Sequence, residues 1–196
     1  LARYIARVTE QYMPTVEPMM IYRLDRYGRG GHHRPFNDLG FPGVRIMEAH
    51  ENYYRQHQDL RTETIMVKAA DGTERPMEVE YGDVIEGVDF DYAAKLTGVN
   101  MITLASLAWA PPAPDSVRIT GAVRPAATLR WKKVDSPNVA GYKVYWRLTT
   151  EPQWTHWRWV GDVDEFTTEG LIIDNYYFGV AAVGKDGNES VVVFPR

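Results

Sequence analysis

The sequence predicts two fold classes in series, an α/β unit over residues 1–110 and an all-β sandwich over residues 111–196. Three observations lead there. Before residue 110, short apolar runs alternate with helical patterns, as in a layered α/β unit with a largely parallel sheet. The APPAP stretch at 110–114 is stiff, because proline fixes φ, and reads as a boundary. After it come about seven short strand-like runs separated by turn residues, the spacing of a sandwich.

The elements follow in order. Leu1, Ile5, Val8 and Tyr12 recur at helical spacing, so residues 1–13 read as a helix ending before Pro14. That pattern starts at the first residue without a cap, and the chain is expected to be the C-terminal part of a longer protein. Residues 18–24 (PMMIYRL) and 44–47 (VRIM) read as buried strands. Pro35 can open a short helix that stops at Gly40. Residues 48–63 are polar and read as a loop. Ala70-Asp71-Gly72 between IMVKA and PMEVE is a hairpin signal, because Asp-Gly supplies the positive φ of a tight turn. A long helix is expected from Asp89, its cap, to Ala108, with Phe90, Ala94, Met101, Leu104, Ala105 and Ala108 on its buried face.

Composition excludes several classes. Net charge is −4; residues 1–110 carry 12 Lys and Arg against 16 Asp and Glu, and the remainder carries 10 against 10. Neither half is a basic nucleic-acid surface. No apolar run approaches the roughly 18 residues of a membrane span. With no cysteine, disulfides and thiolate metal sites are excluded.

The second half resembles fibronectin type III domains along its whole length. Trp131 falls in the second strand, where that family buries a tryptophan, and GYKVYWR at 141–147 matches the third. The resemblance implies that Tyr177, or its rival Tyr176, packs on the core as a corner tyrosine. WTHWRW at 154–159 alternates, so Trp157 and Trp159 share one face. That face is either core or a surface for carbohydrate or protein. Residues 111–196 are expected to fold alone, and 1–110 are not.

Four of the five histidines lie in residues 25–61, among carboxylates, in a loop-rich region after two predicted strands. Open α/β sheets place ligand sites at such positions. GGHHRPFNDLGFPGVRIMEAHENYYRQHQDLR there resembles the C-terminal part of bacterial zinc aminopeptidases, the family that includes aminopeptidase Y and glutaminyl cyclase. The matching residues are His33-Arg34-Pro35-Phe36, Gly40-Phe41-Pro42 and Val44–Met47. YGDVIEGVDFDYAAKLTGVNMITLASLAWAP resembles its closing helix, and a fibronectin type III tail after that helix is a known arrangement.

The resemblance implies a peptidase with two zinc ions, hydrolysing peptides or proteins, secreted or periplasmic, with most ligands and the general base upstream of this chain. Counting back four residues from Asp59 to the family's ligand histidine reaches Arg55, which cannot bind zinc. His57 is the ligand candidate, with His50, or no ligand in this stretch, as the alternatives. Asp59 would fix the tautomer of His57 through a hydrogen bond to the ring nitrogen away from the metal. Tyr53 or Tyr54, with Tyr54 preferred, would donate to the oxyanion. His33 would line the site wall, and His32, which has no matching family role, is expected to face solvent or to hydrogen-bond within the loop. Two other readings stand beside this one: a non-enzymatic surface binding protein, and a self-contained metal site of His32, His33, Glu48, His50 and His57.

Overall fold

The computed structural model describes all residues, Leu1–Arg196. The chain divides into two compact units, one of Leu1–Arg45 with Val99–Arg196 and one of Ile46–Gly98.

The first unit is dominated by a sandwich. Strands β3 (Asp115–Thr120), β4 (Ala126–Lys132) and β7 (Glu165–Glu169) form one sheet in the order β3-β4-β7. The other sheet, in the order β6-β5-β8, contains β5 (Val139–Leu148), β6 (His156–Gly161) and β8 (Tyr176–Gly184). All pairs are antiparallel. A last irregular stretch extends the second sheet through antiparallel bridges from Val180 to Val193 and from Val183 to Glu189.

Alternation selects the core. Ala127, Leu129 and Trp131 point inward from β4, Tyr142 and Val144 from β5, and Phe178, Val180 and Ala182 from β8. Side chains two apart share a face of a strand, so these sets meet between the sheets. The Trp131 and Tyr142 rings lie 5.4 Å apart. The Tyr142 hydroxyl accepts a hydrogen bond from Val134 N at 2.7 Å.

The same parity corrects the corner tyrosine. Phe178 faces the core, so Tyr177 must face outward, and it is 45% exposed beneath the Arg147 guanidinium. Tyr176, the rival, packs against the core. Here the buried phenol that binds the backbone belongs to Tyr142.

The α/β expectation for residues 1–110 is overturned. Residues 18–24 and 44–47 form no strand, and no parallel pair exists anywhere in the chain. A short apolar run becomes a strand only when a neighbour takes up its backbone N–H and C=O groups. Neither run is paired with a second strand in the folded chain. No α/β peptidase layer is present in this chain, which is mostly β-sandwich with few helices.

What forms instead is helical and local. Helix α1 (Ala2–Tyr12) buries Tyr4, Ile5, Ala6, Val8 and Thr9. It lies against the sandwich, where Leu1, Arg3, Tyr4 and Arg7 line one shallow cleft with Trp154, Val191, Val192 and Phe194. A polar cluster fixes it there. Arg7 donates to Glu189 and to the Tyr145 hydroxyl, which itself donates to Glu189, and Lys143 donates to the other Glu189 oxygen. Burial pushes Glu189 up, but Arg7 and the bonds from Lys143 and Tyr145 outweigh it and hold the carboxyl below its usual range.

Helix α2 (Arg34–Asp38) is one short turn opened by Pro35. Helix α3 (Phe90–Trp109) begins as expected, with Asp89 Oδ1 accepting from Tyr92 N at 2.9 Å. Its buried face differs from the expected one. Val99, Thr103 and Ser106 are enclosed, whereas Phe90, Met101 and Leu104 are exposed. Apolar residues run around the whole helix, so periodicity alone does not pick a face.

The second unit is built on a hairpin of β1 (Arg61–Lys68) and β2 (Glu74–Tyr81), turned at Asp71-Gly72 with Gly72 at φ 83°. Asp71 Oδ1 accepts from Thr73 N at 3.0 Å and closes that turn. Ile65, Met77 and Val79 share one face, while Thr64, Glu78 and Glu80 share the other. Gly82, at φ 108°, closes the base: its N–H donates to Tyr54 O at 2.9 Å, and Leu60 fills the space where a side chain would sit.

Two stability measurements follow. Leu129 is fully enclosed, so Leu129→Ala should lower unfolding free energy by about 3–4 kcal/mol in urea melts. Arg7→Ala should cost about 2 kcal/mol, since Glu189 is left in a partly enclosed place without its main partner. Because the folded Glu189 pKa is lowered, its contribution is present above its unfolded pKa and lost as pH falls through the folded value. Glu189→Gln should therefore flatten the acid limb of the stability–pH curve; an unchanged limb would refute the assignment.

Candidate functional site

The four residues singled out by sequence fall on different units. His33 lies in the first, and Tyr54, His57 and Asp59 lie in the second.

His33 immediately precedes α2, and its carbonyl accepts from Asn37 N at 3.1 Å. Its side chain is only 8% exposed. Nε2 sits 2.9 Å from the Leu24 carbonyl oxygen and 3.6 Å from Asp25 Oδ2. Asp25 was not reachable from sequence. It lies eight residues upstream, and only closure of the glycine-rich loop brings it to the imidazole. His32 is exposed, as expected.

In the second unit, Tyr54 packs edge-on against Tyr81 with ring centroids 5.4 Å apart. Its amide donates to Asn52 Oδ1 at 3.0 Å, its carbonyl accepts from Gly82, and its side chain remains partly open to solvent. His57 follows in an exposed turn at φ 56°, a left-handed conformation that is uncommon outside glycine. Asp59 is exposed, and its carbonyl accepts from Arg61 Nη1 at 3.3 Å. His50, the alternative ligand, is exposed in the same loop. Arg55 pairs with Glu80 at 2.7 Å and so ties the loop to β2. Sequence counting reached Arg55 where a histidine was sought, and its role here is structural.

On the sandwich, Trp157 and Trp159 do share a face, and it is the outer one: they are 56% and 45% exposed. The Lys143 ammonium stands 4.2 Å from the Trp157 ring centroid. On the other face of β6, His156 stacks on Trp146 with centroids 5.6 Å apart.

No protein-family model matches the chain. A probable zinc metalloprotease of the fungus Pyrenophora tritici-repentis is 41% identical over 196 residues, covering all of this chain and 38% of that protein. Proteins of the same description from Leptosphaeria maculans and Pyricularia oryzae are 43% and 40% identical, again over the whole chain and over 42% and 37% of their own lengths. The chain thus spans about two fifths of the length of the curated relatives it matches. These relatives are fungal, where the resemblance read from sequence pointed to bacterial proteins. Among solved structures, an Fn3-like protein from Clostridium thermocellum covers 42% of this chain at 21% identity with TM-score 0.32. The FN1–FN3 domains of chicken CNTN1 cover 44% at 17% identity with TM-score 0.37. Scores this low carry no argument, and the sandwich rests on its strand order.

The names of the relatives imply zinc. The residues present do not make a zinc site by themselves: no three His, Cys, Asp or Glu side chains of the chain converge on one point. A tight site takes three or four ligands.

Calorimetry of the 196-residue chain with zinc should give only weak binding. His57→Ala should change it little. A tight stoichiometric site that disappears on changing His32, His33 or His50 would mean that the loop holds a complete centre.

Proposed function

We propose that this chain is the C-terminal portion of a zinc-dependent exopeptidase of aminopeptidase type. In this reading the sandwich is an accessory module. The observation that carries it is identity of 40–43% along the full chain to three proteins described as probable zinc metalloproteases. The matched span takes in the loop of His57 and the sandwich alike.

Within this reading the chain contributes His57 as one ligand of a two-zinc centre whose other ligands lie outside it. Asp59 orients that imidazole, Tyr54 offers a hydroxyl to the reacting carbonyl, and His33 lines the wall. The Tyr54 ring is held by Tyr81 and its backbone by Gly82, which is the fixed placement a donor needs. The turn at His57 is exposed and left-handed, which leaves the residue open to solvent. The substrates are peptides or proteins with a free amino terminus, and the protein is exported.

The full-length protein tests this with aminoacyl-coumarin amides and with amino-terminally blocked peptides. Unblocked substrates should be cleaved, a chelator should abolish cleavage, and zinc should restore it. His57→Ala should lower kcat/KM by at least about 100-fold, beyond the 10–100-fold typical of an outer-shell partner. His50→Ala should leave it within about 2-fold. Cleavage of blocked substrates alone, or full activity in His57→Ala, would overturn the proposal.

A further inference from the structure

The Asp25 side chain is 3% exposed and His33 is 8% exposed, so the pair is withdrawn from water. A backbone carbonyl oxygen can only accept, so its 2.9 Å contact with Nε2 means that Nε2 carries the proton. In the neutral ring, Nδ1 is then the bare lone pair. Asp25 Oδ2 lies 3.6 Å from that same Nε2 and has no hydrogen-bond partner, although it is buried. A buried carboxylate oxygen left so is costly unless charge or a donor stands beside it.

Asp25 is itself fixed. Its Oδ1 accepts from Arg26 N at 2.7 Å, which sets the plane of the carboxylate. That bond, with His33 and Arg26 nearby, holds the carboxyl below its usual range against the effect of burial. The loop also leaves room for the ring. A Cβ at Gly31 would stand 2.7 Å from His33 Nδ1 and 2.9 Å from Cε1, so only glycine fits without displacing the imidazole.

We infer that Asp25 is a positioning residue that, with the Leu24 carbonyl, holds His33 in the Nε2-protonated tautomer and leaves Nδ1 as a hydrogen-bond acceptor beside Gly31. The tautomer follows from this chain alone; its consequence for catalysis rests on the function proposed above. A histidine whose tautomer is fixed presents one lone pair in one direction, and that suits an N–H donor such as a peptide amide or amino terminus.

The experiment is nitrogen-15 NMR of the imidazoles in the 196-residue chain at alkaline pH. His33 should show the Nε2-protonated pattern. In Asp25→Asn both tautomers should be populated, because the new amide can donate as well as accept. In Gly31→Ala the His33 ring signals should shift while the Trp131 core signals stay in place. An Nδ1-protonated His33 in the unaltered chain would overturn the inference, even if a variant failed to fold. An unchanged tautomer in folded Asp25→Asn would also overturn it. In the full-length protein, Asp25→Asn and His33→Gln should each lower kcat/KM about 10-fold, and the double variant should lose no more than either alone. Full activity in Asp25→Asn beside a normal His57 effect would overturn the catalytic part. Absence of any peptidase activity would instead sink the proposed function and leave the tautomer result standing.

Discussion

Tyr142 ties the two sheets of the sandwich together. Its ring packs on Trp131 across the core, and its hydroxyl takes the Val134 N–H. Strand β5 is central, paired on one side with β6 and on the other with β8. Once Tyr142 and Val144 point inward, parity sends Lys143, Tyr145 and Arg147 to the outer face. The inner contact therefore decides which residues are available to bind anything outside the core.

Those outer residues are what α1 uses. Tyr145 and Lys143 converge on Glu189, and Arg7 of α1 completes the cluster. Four polar groups enclosed together satisfy one another, which makes the site specific as well as stable. The helix adds Tyr4, Ile5 and Val8 as apolar burial. The sandwich is thus a platform that orders an element over a hundred residues away in sequence.

The outcome for residues 18–24 and 44–47 has a related cause. Both runs are apolar enough to be strands, and neither is paired in a sheet. Burial of α3 shows the same dependence, since its enclosed residues are Val99, Thr103 and Ser106 and not its larger side chains. Periodicity reports which residues prefer to leave water. It does not report which neighbour will cover them.

Local chemistry was legible. Asp71-Gly72 specifies its turn, Asp89 caps α3, Pro35 opens α2, and alternation in β4, β5 and β8 marks most of the core. Each of these depends on residues within a few positions of one another. The loop carrying Tyr54, His57 and Asp59 was legible as a loop. The tertiary structure decided the rest: the outward turn of Tyr177, the clamp from Arg55 to Glu80, the seating of α1 on Glu189, and the burial of Asp25 against His33. These contacts join residues whose meeting depends on chain closure or on which face a strand presents. Sequence spacing encodes the preference of each residue, and only the folded chain supplies the partner that satisfies it.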